Sequence, residues 1–112
     1  MKNKLLLSIC IPTYNRADRL NKSLNDLLVQ IIKSESKQYL SVFVSNNGSI
    51  DTTNEVINKY RDIFNQNNIS FSDHNSIENY GFDANVLECY RKCDSEYIWF
   101  LSDDDNIIDG AI

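Results

Sequence analysis

Apolar positions along the chain form short, largely continuous runs and one longer stretch with helical spacing. The runs cover residues 5–11, 39–44, 69–72 and 97–101. Such runs predict buried strands, because a parallel sheet covered on both faces has no solvent-facing side. Pro12 is expected to end the first strand, since it has no N–H to donate. The helical spacing i, i+4, i+7, i+8, i+11 belongs to Leu20, Leu24, Leu27, Leu28 and Ile31.

Two further helices are predicted after the second and third strands. The oxygens of Asp51, Thr52 and Thr53 are suited to capping a helix that carries Val56, Ile57 and Tyr60. A last helix is expected over about 82–92. Residues 45–49 have the composition of a turn, and residues 73–81 that of a polar loop.

The alternation of strands and helices with short connections predicts the fold class. It indicates an α/β protein of three layers, α/β/α, with a mainly parallel sheet and right-handed crossovers. The loops after the first, second and fourth strands should open on one edge of that sheet. Residues 1–112 offer no linker or repeat, and we expect a single domain.

The last apolar run is followed by Ser102 and then by three adjacent carboxylates, Asp103, Asp104 and Asp105. These carboxylates repel one another, and nothing close in sequence neutralises them. A hard divalent cation such as Mn²⁺ or Mg²⁺ would turn them into a binding site, since it prefers oxygen ligands and shares them with phosphates. A solvated acidic turn is the alternative. The position at a strand end, where open α/β sheets bind ligands, favours the metal site.

Composition and charge exclude several classes of protein. The net charge of −5 argues against a nucleic-acid surface and against attraction to anionic lipid. No run approaches the roughly 18 apolar residues that span a bilayer, and the N-terminus lacks a signal peptide's cleavage site, so we expect a cytoplasmic protein. His74 is the only histidine, and no zinc set is completed around Cys10, Cys89 and Cys93. We therefore interpret the three cysteines as free thiols.

Four landmarks, in order along the chain, resemble the nucleotide-sugar-binding half of the family 2 glycosyltransferases, which have the Rossmann-like GT-A fold. They are SICIPTYNR at residues 8–16, VSNNGSIDT at 44–52, NYG at 79–81 with Asn85, and FLSDDD at 100–105. Other phosphate and metal motifs fail. The three glycines are isolated, which excludes a P-loop or dinucleotide fingerprint, and the acidic run does not fit an EF-hand loop.

The resemblance implies which residues bind the nucleotide. It places Pro12, Thr13 and Tyr14 against the base, although Tyr14 is also consistent with a core aromatic residue. Where the family carries an Asp pair that accepts a hydrogen bond from the base, this chain has Asn46 and Asn47. An amide accepts but also donates, so the identity of the base stays open.

The resemblance also implies a metal motif, Asp-X-Asp. Aligned on the strand end, it makes Asp104 the principal ligand, with Asp105 beside it and with Ser102 or Asp103 near the ribose. A slip of one residue would make Asp103 and Asp105 the pair. Asp51 is expected to be a helix cap and not a site residue.

The reaction that the resemblance implies is inverting, metal-assisted sugar transfer from a nucleoside-diphosphate sugar to an acceptor glycan or lipid-linked saccharide, as in bacterial surface polysaccharide assembly. The catalytic base of the family follows the metal motif, and we expect it beyond Ile112. The chain is then a truncated donor half, with little turnover of its own and a tendency to self-associate. The alternatives are a non-catalytic nucleotide- or metal-binding α/β module and a plain structural domain.

Overall fold

A computed structural model describes residues 7–35, 37–49, 51–76, 95 and 97–101. The strands are β1 (Leu7–Thr13), β2 (Leu40–Asn47), β3 (Ser70–Ser76) and β4 (Tyr97–Phe100), and the helices are α1 (Ala17–Ser34) and α2 (Thr53–Gln66). A short 3₁₀ turn, Lys37–Tyr39, leads into β2.

The described strands form a parallel sheet in the order β3-β2-β1-β4. The predicted α/β class with a parallel sheet is confirmed. The chain proceeds outward from β1 to β2 and β3, and then returns to place β4 on the other side of β1. An open sheet of this kind binds ligands outside the carboxyl ends of its strands, at the point where the strand order reverses. That point lies between β1 and β4.

The main core lies between one face of the sheet and the two described helices. Side chains of β1 and β2 alternate in direction, so Ile9, Ile11, Val42 and Val44 point to this face. They pack against the buried stripe of α1 and α2, which consists of Leu20, Leu24, Leu27, Ile31, Ile57, Tyr60 and Phe64. Each such side chain contributes about 1.5–3 kcal/mol when buried. Both helices share a face because β1, β2 and β3 follow one another in a single direction, and crossovers between parallel strands nearly always have the same hand.

The opposite face of the sheet carries a smaller cluster. Cys10 and Phe43 are buried there, and Ile98 packs against them. Cys10 is therefore a buried thiol, as the sequence predicts. The apolar runs of β1 and β2 are continuous because both faces of these strands are covered.

The prediction that Pro12 ends the first strand is wrong. The backbone N–H of Leu101 donates to the carbonyl of Cys10 at 2.9 Å, so the polar groups of Cys10 point toward β4. Backbone groups alternate in direction along a parallel strand, and Pro12 therefore lacks its N–H on the β4 side as well. Pairing with β4 stops at Cys10 and Phe100, so the missing donor removes no ladder hydrogen bond, and β1 continues along β2 to Thr13.

The polar segments that follow the second and third apolar runs are also longer strands than predicted. Residues 45–47 were expected to be a turn, but they complete β2 between its two neighbours, with Asn46 opposite Thr13 and Asn75. Residues 73–76 were expected in a loop, but they pair with residues 44–47. Composition alone gave the wrong boundaries because pairing on a parallel neighbour satisfies the backbone whatever the side chains are.

Several predicted features lie outside the described residues. These are the helix over about 82–92, the landmark at 79–81, the thiols Cys89 and Cys93, and the acidic run. Among the helices of the described part, none combines the length and the apolar character that crossing a membrane requires.

Candidate functional site

The loops that follow β1 and β2 are joined by two hydrogen bonds at the carboxyl edge of the sheet. The backbone N–H of Asn15 donates to Ser49 Oγ at 2.9 Å, and the backbone N–H of Ala17 donates to Asp51 Oδ2 at 3.3 Å. We call this pair of contacts the loop clamp. Asn15 has φ 49°, a left-handed conformation that asparagine tolerates better than most residues. The clamp therefore fixes the one segment that leads from the end of β1 into α1.

Asp51 caps two helices at once. Its Oδ1 accepts the backbone N–H of Thr53 at 3.0 Å and also the Thr53 hydroxyl, at the start of α2. Its Oδ2 accepts the N–H of Ala17, the first residue of α1. The prediction that Asp51 is a helix cap is confirmed, and the second helix it caps is a new observation.

The electrostatic state of Asp51 follows from these contacts. Partial burial acts to raise the pKa of its carboxyl, but the hydrogen bonds from Thr53 and Ala17 outweigh it and hold the pKa below the ordinary value of 3.8. The carboxylate is exposed and ionised at neutral pH. Its charge faces the positive ends of two helix dipoles, which is the favourable arrangement.

Asn46 is buried at the end of β2 and has polar partners on every side. Its Nδ2 donates to Asn54 Oδ1 at 2.8 Å and to Asn75 Oδ1 at 3.0 Å. Its Oδ1 accepts the backbone N–H of Ser49 at 3.3 Å. The amide thus connects the turn after β2 to both α2 and β3. A contact between Asn46 and a nucleotide stays a prediction.

A cleft of about 620 Å³ opens beside the loop clamp, lined by residues 14–19 together with Asp51 and Thr52. Tyr14 is 40% exposed and lines this cleft. Arg16 and Arg19 lie in the same wall, at the amino end of α1. Asp18 and Asp51 also line the cleft, and Asp51 already accepts the first N–H of α1. The flat ring and the two guanidinium groups are the features that suit a ligand that combines an aromatic ring with an anionic group.

The other residues predicted to bind the nucleotide also lie at the carboxyl edge of the sheet. Thr13 is buried at the end of β1 opposite Asn46, and Pro12 precedes it opposite Ser45. Asn47 is the last residue of β2. The structure thus brings Pro12, Thr13, Tyr14, Asn46 and Asn47 to the same edge of the sheet.

The predicted metal ligands Asp104 and Asp105, with Ser102 and Asp103, lie outside the described residues. Within the part of the chain that the structure describes, no group of three His, Cys, Asp or Glu side chains is arranged to hold a metal ion. The donor type of the acidic run, carboxylate oxygen, is the type that a hard divalent cation takes.

Sequence reasoning missed three contributors to this edge. Ser49 was assigned only to a turn, Asn15 only to a loop, and Asp51 only to the cap of α2. Their partners lie 34 residues away in the sequence, so the local pattern gave no signal for the pairing.

Comparison with known proteins gives matches over nearly the whole chain. A profile of the family "Glycosyl transferase family 2" matches residues 8–112. The abequosyltransferase RfbV of Salmonella typhimurium is 34% identical over 111 residues, covering 96% of this chain and 31% of that protein. The uncharacterized glycosyltransferase MG025 of Mycoplasma genitalium is 32% identical over 105 residues, covering 94% of this chain and 33% of that protein. The chain spans about a third of the length of these curated relatives.

Solved structures with the same fold are also similar. The mannosyltransferase PcManGT from Pyrobaculum calidifontis, in complex with GDP-Man and Mn²⁺, superposes with a TM-score of 0.78 at 18% identity, covering 91% of this chain and 28% of that one. S. aureus TarS gives a TM-score of 0.76 at 26% identity, covering 94% of this chain and 18% of that one. At 18% identity the first likeness concerns the fold alone.

Proposed function

This chain belongs to glycosyl transferase family 2, and we propose that it forms the nucleotide-sugar-binding half of an enzyme that moves a sugar from a nucleoside diphosphate to an acceptor hydroxyl. One observation carries the proposal. The strand order β3-β2-β1-β4 reverses beside β1, so the segment after β1 lies at the position where open α/β sheets bind nucleotides.

The nucleotide subsite that we propose lies at the cleft beside the loop clamp. Tyr14 supplies an exposed ring for the base, next to Pro12 and Thr13 at the end of β1. Asn46 and Asn47 end the neighbouring strand β2, within the same edge. Arg16 and Arg19 lie in the wall of the cleft, where their guanidinium groups suit the diphosphate.

The metal ligands that we propose are Asp104 and Asp105, with Ser102 or Asp103 near the ribose; the alternative pair is Asp103 and Asp105. Two facts support this set. Only Ser102 separates the acidic run in the sequence from Leu101, which is hydrogen-bonded to β1 at the strand-order reversal. PcManGT, which shares the fold, is a complex with Mn²⁺. A bound Mn²⁺ or Mg²⁺ would supply charge stabilisation for the departing diphosphate.

We propose further that transfer inverts the anomeric carbon. Direct displacement by the acceptor hydroxyl needs a general base to take its proton, and the resemblance to the family implies a carboxylate. We propose that this base and the acceptor subsite belong to the part of the enzyme that the curated relatives have in addition to the third matched here. The acceptor is a glycan or a lipid-linked saccharide, in polysaccharide biosynthesis at the cytoplasmic side. The name of RfbV, an abequosyltransferase, supports a sugar as the group transferred.

Calorimetric titration of UDP, GDP and dTDP tests the proposal. Each nucleotide is added to the chain with Mn²⁺ and then with EDTA, and circular dichroism verifies that each sample is folded. We expect one nucleotide to bind only when the cation is present, because the diphosphate and the carboxylates share it. Asp104→Asn should abolish that binding.

The matched control is Asp62→Asn, which removes one exposed carboxylate from α2 and changes the net charge equally. It should bind like the unaltered chain. Binding that persists in EDTA would remove the metal from the proposal. A folded chain that binds none of the three nucleotides would overturn the donor site.

A further inference from the structure

Asn46 belongs to a line of hydrogen-bonded side chains that crosses from the turn after β2 to helix α2. Arg61 donates to Asp73 Oδ1 through Nε at 3.1 Å, and Asn75 Nδ2 donates to Asp73 Oδ2 at 2.6 Å. Asn75 Oδ1 then accepts from Asn46 Nδ2, and Asn46 Oδ1 accepts from the backbone N–H of Ser49. We call Asp73, Asn75 and Asn46 the amide relay.

The direction of every hydrogen bond in the amide relay is set at its two ends. At one end, the Asp73 carboxylate is paired with Arg61 and only accepts, so Asn75 must turn its N–H groups toward it. The carbonyl oxygen of Asn75 consequently faces Asn46, which must donate. At the other end, the Ser49 N–H can only donate, so Asn46 must present an oxygen there. Position 46 therefore requires one group that donates and accepts, which an amide is and a carboxylate is not.

We propose that Asp73, acting through Asn75, selects asparagine at position 46, and that Asn46 is a positioning residue that holds the turn after β2. This accounts for an amide at a position where, by the resemblance above, an aspartate was expected. The consequence for nucleotide binding rests on the proposed function, whereas the amide relay itself does not.

Burial explains why position 46 requires asparagine and does not tolerate aspartate. Asn46 is 2% exposed, so water cannot replace a missing partner there. A carboxylate introduced by Asn46→Asp would meet the carbonyl oxygens of Asn54 and Asn75. Asn54 and Asn75 are both exposed, and Asn54 can turn its amide over at little cost because its amide N–H groups can then bond to water. Asn75 differs because turning its amide over would place its carbonyl oxygen against the Asp73 carboxylate, which has no proton to donate. An unfavourable contact between two acceptor oxygens therefore remains either at position 46 or at position 73, although these two side chains do not hydrogen-bond to each other.

The functional link runs through Ser49. Its N–H donates to Asn46 and its hydroxyl accepts the N–H of Asn15, so the amide relay ends on the loop clamp. A turn displaced at Ser49 would displace the loop that carries Tyr14. Asn46→Asp should therefore weaken nucleotide binding although the change lies away from the exposed wall of the cleft.

A double-mutant cycle tests the proposal through urea unfolding of the full chain. The four proteins are the unaltered chain, Asn46→Asp, Asp73→Asn and the double variant. We expect Asn46→Asp alone to lower the folding equilibrium constant about fivefold or more. It should cost clearly less in the Asp73→Asn background, because an amide at position 73 lets Asn75 turn over and donate to the new carboxylate.

Two controls separate the amide relay from simple repulsion between charges. Combined with Asn46→Asp, Asp62→Asn returns the net charge to that of the unaltered chain, as Asp73→Asn does. It should not restore the stability that Asn46→Asp loses, since Asp62 is exposed on α2 outside the amide relay. The same cycle is then repeated with Asn75→Ala throughout. The coupling between positions 46 and 73 should vanish there, whereas a repulsion between charges would remain.

The outcomes are distinct. Additive effects of Asn46→Asp and Asp73→Asn would overturn the proposal, as would a coupling that survives Asn75→Ala. With Mn²⁺ present, the dissociation constant for whichever of UDP, GDP and dTDP binds the unaltered chain is measured on the same proteins. It should rise in Asn46→Asp and recover in the double variant. If the unaltered chain binds neither UDP, GDP nor dTDP, the proposed function fails, while the unfolding cycle still decides the amide relay.

Discussion

The carboxylate of Asp51, at the start of α2, accepts the backbone N–H of Ala17, the first residue of α1, at 3.3 Å. Its other oxygen accepts the N–H of Thr53 at 3.0 Å. A single side chain therefore satisfies unpaired donors at the amino ends of two helices that are adjacent in the fold and far apart in sequence. This arrangement ties the two loops of the proposed nucleotide site to each other.

Removing this shared cap should destabilise the chain. Loss of one N-cap side chain costs about 1 kcal/mol, and Asp51→Ala leaves two helix ends without their acceptor, so we expect about 2 kcal/mol. Urea unfolding at pH 7 measures the difference. Asp62→Ala, an exposed position within α2, serves as the control and should change the free energy of unfolding by less than about 0.5 kcal/mol. Equal stability of the two variants would contradict the shared cap.

The contribution of Asp51 should also depend on pH in a defined direction. Hydrogen bonding lowers the pKa of this carboxyl in the folded chain below the ordinary value of 3.8. The contribution is then fully present above pH 3.8 and is lost as the pH falls through the lower, folded-state pKa. The difference in unfolding free energy between the unaltered chain and Asp51→Ala should stay constant from pH 7 to 5 and shrink below 3.8. A gap that widens on acidification would refute this assignment.

Ser49 should matter more for nucleotide affinity than for stability. Ser49→Ala removes the oxygen that accepts the N–H of Asn15 and releases one side of the loop clamp. One hydrogen bond corresponds to about a two- to tenfold change in an equilibrium constant, and we expect the dissociation constant for the bound nucleotide to rise by that factor. Calorimetry measures it, and Ser72→Ala on the exposed side of β3 is the control. Identical affinities for the two variants would remove the clamp from the binding site.

Phe64 is the aromatic centre of the core between α2 and the sheet. It is completely buried, and its ring contacts Tyr60 at 6.3 Å and Phe71 at 5.1 Å between centroids. Phe64→Ala should cost about 3–5 kcal/mol, because it removes apolar contacts and leaves a cavity. Thermal and urea unfolding measure the loss, and Phe64→Leu should retain enough packing to be measured if the alanine variant does not fold. Ile32→Ala, at a half-exposed site on α1, should cost much less.

Glu35 offers a stabilising change. It ends α1 with φ 58°, a left-handed conformation that costs a residue with a Cβ about 1 kcal/mol and glycine much less. Glu35→Gly should therefore raise the unfolding midpoint, with the gain reduced by the greater freedom of glycine in the unfolded chain. Glu55→Gly, in the first turn of α2, should lower the midpoint. The prediction fails if both substitutions shift the midpoint in the same direction.

The amino-acid sequence by itself determined the parallel α/β class and many of the core positions, although it did not single out Phe64. Continuous apolar runs indicate the buried strands, and apolar residues at helical spacing indicate the helices. This information is local, since the side chains on the buried face of each element must be apolar and recur with the period of that element. Both described helices and all described strands lie where that pattern predicts them, apart from their ends. The cap role of Asp51 was also visible, because its partner Thr53 is only two residues away.

Only the tertiary structure decided where the strands end and what the polar side chains do. β1 passes Pro12 and β2 continues through Asn46 because neighbouring strands supply partners there. The contacts of Asn15 with Ser49 and of Ala17 with Asp51 each join residues 34 positions apart. A polar side chain takes its role from the donors and acceptors that the fold brings to it, and no local pattern encodes partners at that distance.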